Sequence, residues 1–164
     1  LEGHKGDRVL DAHGDGEVVV AADEGGLWSR IMVDWWSSSR TTLVDYKTTA
    51  SLATPGAFAL QVARMGYDVQ DAFYLRTIGR AFPELAGRLR FLFVVQEIEP
   101  PYALATFEVA EADRHVADRK VSRAFEIWRE CLAADRWPSY PREVQRINLP
   151  EWHNRRWLDE ELSA

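Results

Sequence analysis

The spacing of apolar residues changes period several times along the chain. Over 28–34 the alternation is strict. Trp28, Arg30, Met32 and Asp34 fall on one side of an extended strand, and Ser29, Ile31 and Val33 on the other. Over 41–47 the same period of two groups Leu43, Asp45 and Lys47 and turns Val44 and Tyr46 away. With the run Val18-Val19-Val20 ahead of them, three strands are predicted at 17–22, 28–35 and 42–48. Pro55-Gly56 then opens a helix in which Phe58, Val62 and Met65 recur at helical spacing, broken at Gly66. A second helix is expected from Asp68 to Phe82, stopped by Pro83, with Ala72, Leu75, Gly79 and Phe82 as its packing stripe. Two further strands, 89–98 and 102–109, flank the turn signal Glu99-Pro100-Pro101. The helical period returns from Glu111 to Ala134, where Ala117, Val121, Ala124, Phe125, Trp128, Cys131 and Leu132 make one apolar stripe. The order predicts an α/β fold: a mixed central sheet of three strands then two, with helices on its faces. One domain is expected to cover residues 1–164. Its N-terminal lead-in is short, and Pro138, Pro141 and Pro150 predict an irregular tail over 138–164. Trp152, Trp157 and Leu158 in that tail are too apolar to be left in water, and fit folding back on the domain or contact with another subunit.

Composition narrows this picture only a little. With 46% hydrophobic residues and seven tryptophans in 164 positions, the chain is globular rather than disordered. It has no apolar run long enough for a membrane span and no signal-peptide pattern, so a cytoplasmic protein without a membrane partner is expected. The single cysteine, Cys131, excludes an intramolecular disulfide and fits a reducing compartment.

The chemistry is concentrated where two strands meet. Trp35-Trp36-Ser37-Ser38-Ser39-Arg40 is a short connection of hairpin type. A four-residue loop over Ser38–Thr41 would set Asp34 opposite Asp45, with side-chain origins about 5 Å apart. Two carboxylates that close resist ionisation unless a cation shares the site. Magnesium suits such a site, since it takes oxygen ligands and typically only one or two carboxylates besides water and phosphate. Lys47, two residues along the same face, is placed to orient an attacking water or offset charge in a transition state. The bland reading stands beside it: two solvated aspartates at strand ends, with Lys47 as their surface ion-pair partner. On the second helix Gln70 and Tyr74 are four apart and share a face, as do Arg76 and Arg80, which could form a phosphate track or a solvated patch. The net charge of −6 runs against DNA binding by bulk charge alone.

Taken in order, these segments resemble the PD-(D/E)XK nuclease superfamily, and within it the RecE-like phage recombination exonucleases with RecB-type motifs. The matching pieces are Glu17-Val18-Val19-Val20, Ile31-Met32-Val33-Asp34, Val44-Asp45-Tyr46-Lys47-Thr48-Thr49, and Gly66 through Tyr74 with its Gln-x-x-x-Tyr spacing. Phe93-Val94-Val95-Gln96-Glu97 and Pro101-Tyr102 also match, so the resemblance covers roughly residues 15–140. It implies a restriction-endonuclease-like sheet and Mg2+-dependent hydrolysis of DNA, with Mn2+ able to substitute. The implied metal ligands are Asp34, Asp45 and the backbone carbonyl of Tyr46, with Glu17 either a ligand or a supporting residue. Lys47 would position the attacking water, and Gln70 and Tyr74 would approach the lysine and the DNA. The implied substrate is the end of linear duplex DNA, in recombination or repair. A ring-like homo-oligomer and a single-strand annealing protein are the implied partners. Relatives carry a histidine upstream of the first core strand; only His4 and His13 stand there, each in a loop-like context. A catalytically inactive DNA- or protein-binding module and a restriction-type endonuclease remain the alternatives.

Overall fold

A computed structural model describes residues 13–162. The chain forms β1 (Gly14–Asp23), β2 (Trp28–Ser37), β3 (Thr42–Thr49), α1 (Pro55–Met65), α2 (Tyr67–Ala81), a short 3-10 turn (Pro83–Leu85), β4 (Arg90–Glu97), β5 (Leu104–Phe107), α3 (Glu111–Ala134) and α4 (Glu151–Leu162). The five strands make one sheet in the order β1-β2-β3-β4-β5. β3 and β4 are parallel and the other pairs antiparallel, so the sheet is mixed as expected. The parallel pair needs a crossover, and α1 and α2 supply it.

The core follows from the alternation. Ile31 and Val33 of β2, Leu43 of β3, and Phe91, Phe93 and Val95 of β4 point to one side, where Phe58 of α1 and Ile78 of α2 cover them. Val44, Leu92 and Val94 form a smaller cluster on the opposite face, with Trp35 against it. Strict alternation fails once, at Asp34. Val33 and Trp36, three residues apart, both belong to the main cluster, while Trp35 packs on the other face. The partner strand is irregular at the same level: between the pairs Gly16↔Trp35 and Val18↔Val33 stands Glu17, at φ 53°. A non-glycine residue with positive φ is a local backbone distortion, and here it leaves the register unchanged on either side, with Glu17 opposite Asp34.

The element ends depart from the apolar pattern where backbone pairing alone sets them. β1 begins at Gly14 rather than at residue 17, because Gly14, Asp15 and Gly16 pair with Ser37, Trp36 and Trp35. Gly14 is required there: a Cβ would meet the Trp35 ring and the Trp36 carbonyl at 2.5 Å. β5 is shorter than expected, since Tyr102 N–H closes a turn onto the Glu99 carbonyl before the strand starts.

Contacts divide the chain into two compact units, one through Glu130 and one from Cys131 onward. The first holds the sheet, α1, α2 and most of α3, with Ala117 and Val121 of α3 packed on Ala72 of α2. In the second, residues 138–150 lack regular structure, but the tail expected to be irregular ends in the helix α4. Pro150 precedes its first turn, where proline is tolerated, and Glu151–Arg155 and Arg156–Glu160 are ion pairs at helical spacing. Among the described residues no helix is long and apolar enough to cross a membrane.

Candidate active site

β3 lies in the middle of the sheet and pairs residue for residue with β4, which sets Asp45 beside Phe93 and Lys47 beside Val95. A carboxylate is thereby carried into an aromatic layer, and Asp45 is only 4% exposed. On the other flank the hairpin register is the one a four-residue connection gives, Trp36↔Leu43 and Trp35↔Val44. Asp34 and Asp45 are the next positions outward, where the strands part. Asp34 keeps the strands tied by its side chain, its Oδ2 accepting from the Tyr46 N–H at 3.0 Å.

Three groups meet the Asp45 carboxylate. Gln70 Nε2 donates to Oδ1 at 2.6 Å, and Lys47 Nζ lies 2.6 Å from Oδ2. Asp34 is near enough for its charge to be felt. Burial pushes the Asp45 pKa up, Lys47 pulls it back, and Asp34 adds to the rise; the net shift is upward. Oδ2 is buried without an aligned hydrogen bond, so its stabilisation comes from the charge of Lys47. Asp34, Asp45 and Lys47 together carry one more negative charge than positive when all are ionised.

The remaining residues singled out in the sequence are dispersed. Tyr74 is one turn beyond Gln70, but its ring packs edge-on against the buried Phe91, 5.5 Å between centroids. The ring that faces Lys47 is that of Tyr67, with Nζ 4.7 Å from its centroid. Tyr46 uses its N–H on Asp34, and its half-exposed phenol donates to Gln96 Oε1. Glu17 is exposed in β1, and no group of three or more His, Cys, Asp or Glu converges among the described residues. His13 is exposed; His4 lies outside the described residues.

Arg76 and Arg80, expected as a phosphate track or a solvated patch, stand in different surroundings. Arg76 is committed inside the protein: Nε and Nη2 bond the two oxygens of Glu24 at 2.9 and 3.2 Å, and Nη1 reaches Asp118 and Ser122. Glu24 is 3% exposed, and a carboxylate so buried requires a cation. Arg80 stands 3.5 Å from the same carboxylate with its side chain more than half exposed. Sequence reading missed Glu24 because 52 residues separate it from Arg76. Tyr67 was missed too, although its place directly after the helix-breaking Gly66 was a usable signal.

The donor set fits a hard divalent cation. It offers carboxylate oxygens of two aspartates, one of them buried with an oxygen that lacks an aligned donor, and a surplus of negative charge. Asp34 and Asp45 would be the ligands.

No curated protein matches the chain. Among solved structures, the crystal structure of "Putative exonuclease" from Eubacterium rectale is similar, with a TM-score of 0.54 and 17% identity. The similarity covers 79% of this chain and 55% of that one, so the chain spans little more than half the length of that protein. The structure of SSO0001 matches at a TM-score of 0.40 and 16% identity, over 70% of this chain and 50% of its own. The first match is at the level of fold, and its mixed sheet with flanking helices is the one described above. A family profile matches the sequence from residue 4 to residue 150, and by that match the chain belongs to the PDDEXK-like domain of unknown function family (DUF3799).

Proposed function

We propose that the protein is a Mg2+-dependent deoxyribonuclease, with Mn2+ as a substitute, that hydrolyses linear duplex DNA from its ends. The observation that carries this reading is the convergence of Asp34, Asp45, Lys47 and Gln70 where β2 and β3 part. Asp34, Asp45 and the Tyr46 carbonyl would hold the metal, with Glu17 as a supporting carboxylate. When bound, the metal supplies Lewis-acid chemistry, polarising the phosphate and lowering the pKa of water. Gln70 fixes the plane of the Asp45 carboxylate by its bond to Oδ1. Lys47 presents an ammonium beside the same carboxylate, where it orients the attacking water and offsets charge on the phosphate. Gln70 and Tyr74 also support the DNA strand along α2, and Arg80 is the arginine of that helix left exposed enough to meet a phosphate.

Family membership and the exonuclease-named neighbour support the nuclease reading. The choice of duplex ends, the setting in recombination or repair, and an annealing-protein or self-assembled partner rest on the sequence motifs. The test is digestion of linear and closed circular duplex DNA with Mg2+ or EDTA, alongside Asp45→Asn. Loss of the linear substrate only, blocked by EDTA and by the substitution, is expected. Cleavage of the circle would make it an endonuclease, and intact DNA throughout would make it a binding module.

A further inference from the structure

Tyr67 has no role in the reading above, yet its ring lies against Lys47 and is packed in turn on Phe93 and Phe58. It is the first residue of α2 and follows Gly66, whose φ of 71° ends α1 and starts α2 in a left-handed turn. Its ring stacks on Phe93 at 5.8 Å and 26°, and lies 6.3 Å from Phe58. Phe93 is the β4 neighbour of Asp45 and is fully buried. The aromatic stack therefore ties the Tyr67 ring to the two strand positions that carry the site. Lys47 Nζ sits between this ring and Asp45, 4.7 Å from the centroid and 2.6 Å from Oδ2.

We propose that Tyr67 is a positioning residue whose ring face seats the Lys47 ammonium beside Asp45. An aromatic face attracts a cation through its quadrupole and is not a lone-pair acceptor that ties up one N–H direction. The donors not facing the ring thus stay available for the carboxylate, a water or a phosphate. A second carboxylate in the same place would hold the ammonium but take up its donors. The seat matters most when a divalent cation draws on the charge of Asp45 and loosens the Lys47–Asp45 pair. Lysine is then held by the ring instead of swinging on its long flexible stem. The effect on turnover rests on the nuclease reading; the seat itself does not.

The experiment compares wild type, Tyr67→Phe and Tyr67→Leu in two measurements. In NMR spectra of the protein without DNA, the ε-methylene protons of Lys47 should be shifted upfield by the ring. Tyr67→Phe should keep that shift and Tyr67→Leu should lose it. In steady-state DNA hydrolysis, Tyr67→Leu should lower kcat about tenfold with KM little changed, the size expected from a partly desolvated cation–π contact. Tyr67→Phe should restore kcat to near the wild-type value. Thermal melts of both variants identify a simple loss of fold, which would move the whole spectrum rather than the Lys47 signals. An unshifted Lys47 in wild type overturns the proposal, as does a Tyr67→Leu enzyme that turns over normally. Wild type that cleaves no DNA but shows the shifted Lys47 overturns the nuclease reading and leaves the ring seat standing.

Discussion

Asp45 and Asp71 are both carboxylates sealed into the first unit, and they are solved in opposite ways. Asp71, on α2 directly after Gln70, is fully buried, and Arg114 of α3 lies 3.0 and 3.1 Å from its two oxygens. Arg114 reaches on to Glu108, which is held by Arg90, so the signs alternate and the chain of charges sums to zero. Asp45 divides its oxygens between an amide and an ammonium and has a second carboxylate beside it. Its surroundings are one positive charge short. A closed network is how a buried acid serves as a strut. An open one, in the centre of a sheet, suits the proposed metal site, where a cation from solution would supply the missing charge.

The contrast breaks most visibly at Lys47. Lys47→Ala should nearly abolish cleavage, by roughly 10²–10³-fold as for removal of one transition-state donor, with little change in melting temperature. Single-turnover digestion and a thermal melt on the same sample measure both. An unfolded variant would make Lys47 a strut like Arg114 and erase the distinction. Asp45→Asn should abolish magnesium uptake by calorimetry. Because burial and Asp34 raise the Asp45 pKa, protons compete with metal there, and apparent affinity should rise with pH until Asp45 is ionised.

Arg114→Ala tests the other side. It leaves Asp71 buried without its cation, for which a loss of about 3–5 kcal/mol is expected. Urea denaturation gives the number. If DNA cleavage by the folded fraction is unchanged, the strut and the site are separable. If it falls in step with Lys47→Ala, the α2–α3 clamp is part of the active-site geometry.

A pH titration sharpens the comparison further. Burial outweighs Arg114 and pushes the Asp71 pKa up from 3.8 to about 6. A folded-state pKa above the unfolded value means the stabilising contribution is fully present below pH 3.8 and is lost as pH rises through about 6. At about 1.4 kcal/mol per pKa unit, the loss approaches 3 kcal/mol. Relative to Asp71→Asn, wild type should therefore lose about that much stability between pH 4 and pH 7 in denaturant titrations. A gain over the same range would mean that Arg114 more than compensates for burial, and that the strut is the better-solved acid by an even wider margin.

These two acids also mark what the sequence could disclose. Asp34, Asp45 and Lys47 are close along the chain on two strands of a hairpin, so a period of two and one loop length are enough to bring them together. Gln70 was singled out only through the family resemblance, which implied an approach to the lysine and the DNA; its 2.6 Å bond goes to Asp45. Arg114 is 43 residues from Asp71, and Glu24 is 52 residues from Arg76; nothing local pairs them. The strand order was within reach because β1 to β3 are consecutive hairpins and α1 and α2 force a parallel return. The slip at Asp34 was not, because Glu17 and Asp34 fit the alternation in sequence and depart from it only in backbone geometry. α4 was hidden by the prolines ahead of it, whose effect stops at its first turn.

The smallest expected effect separates the two arginines once paired as a track. Arg76 completes a network around buried Glu24 like that around Asp71, so Arg76→Met should destabilise the fold and leave the salt dependence of DNA binding unchanged. Arg80 is more than half exposed and touches Glu24 only at 3.5 Å, so Arg80→Ala should change stability by under about 1 kcal/mol. If Arg80 meets a phosphate, its loss should weaken binding by a few-fold and reduce the salt slope by about one counterion, measured with catalytically inactive Asp45→Asn protein in increasing KCl. An unchanged slope in both variants would remove α2 from the DNA track. A reduced slope in Arg76→Met would mean that its internal pairs open when DNA arrives, and the line between strut and site would then run through a single side chain.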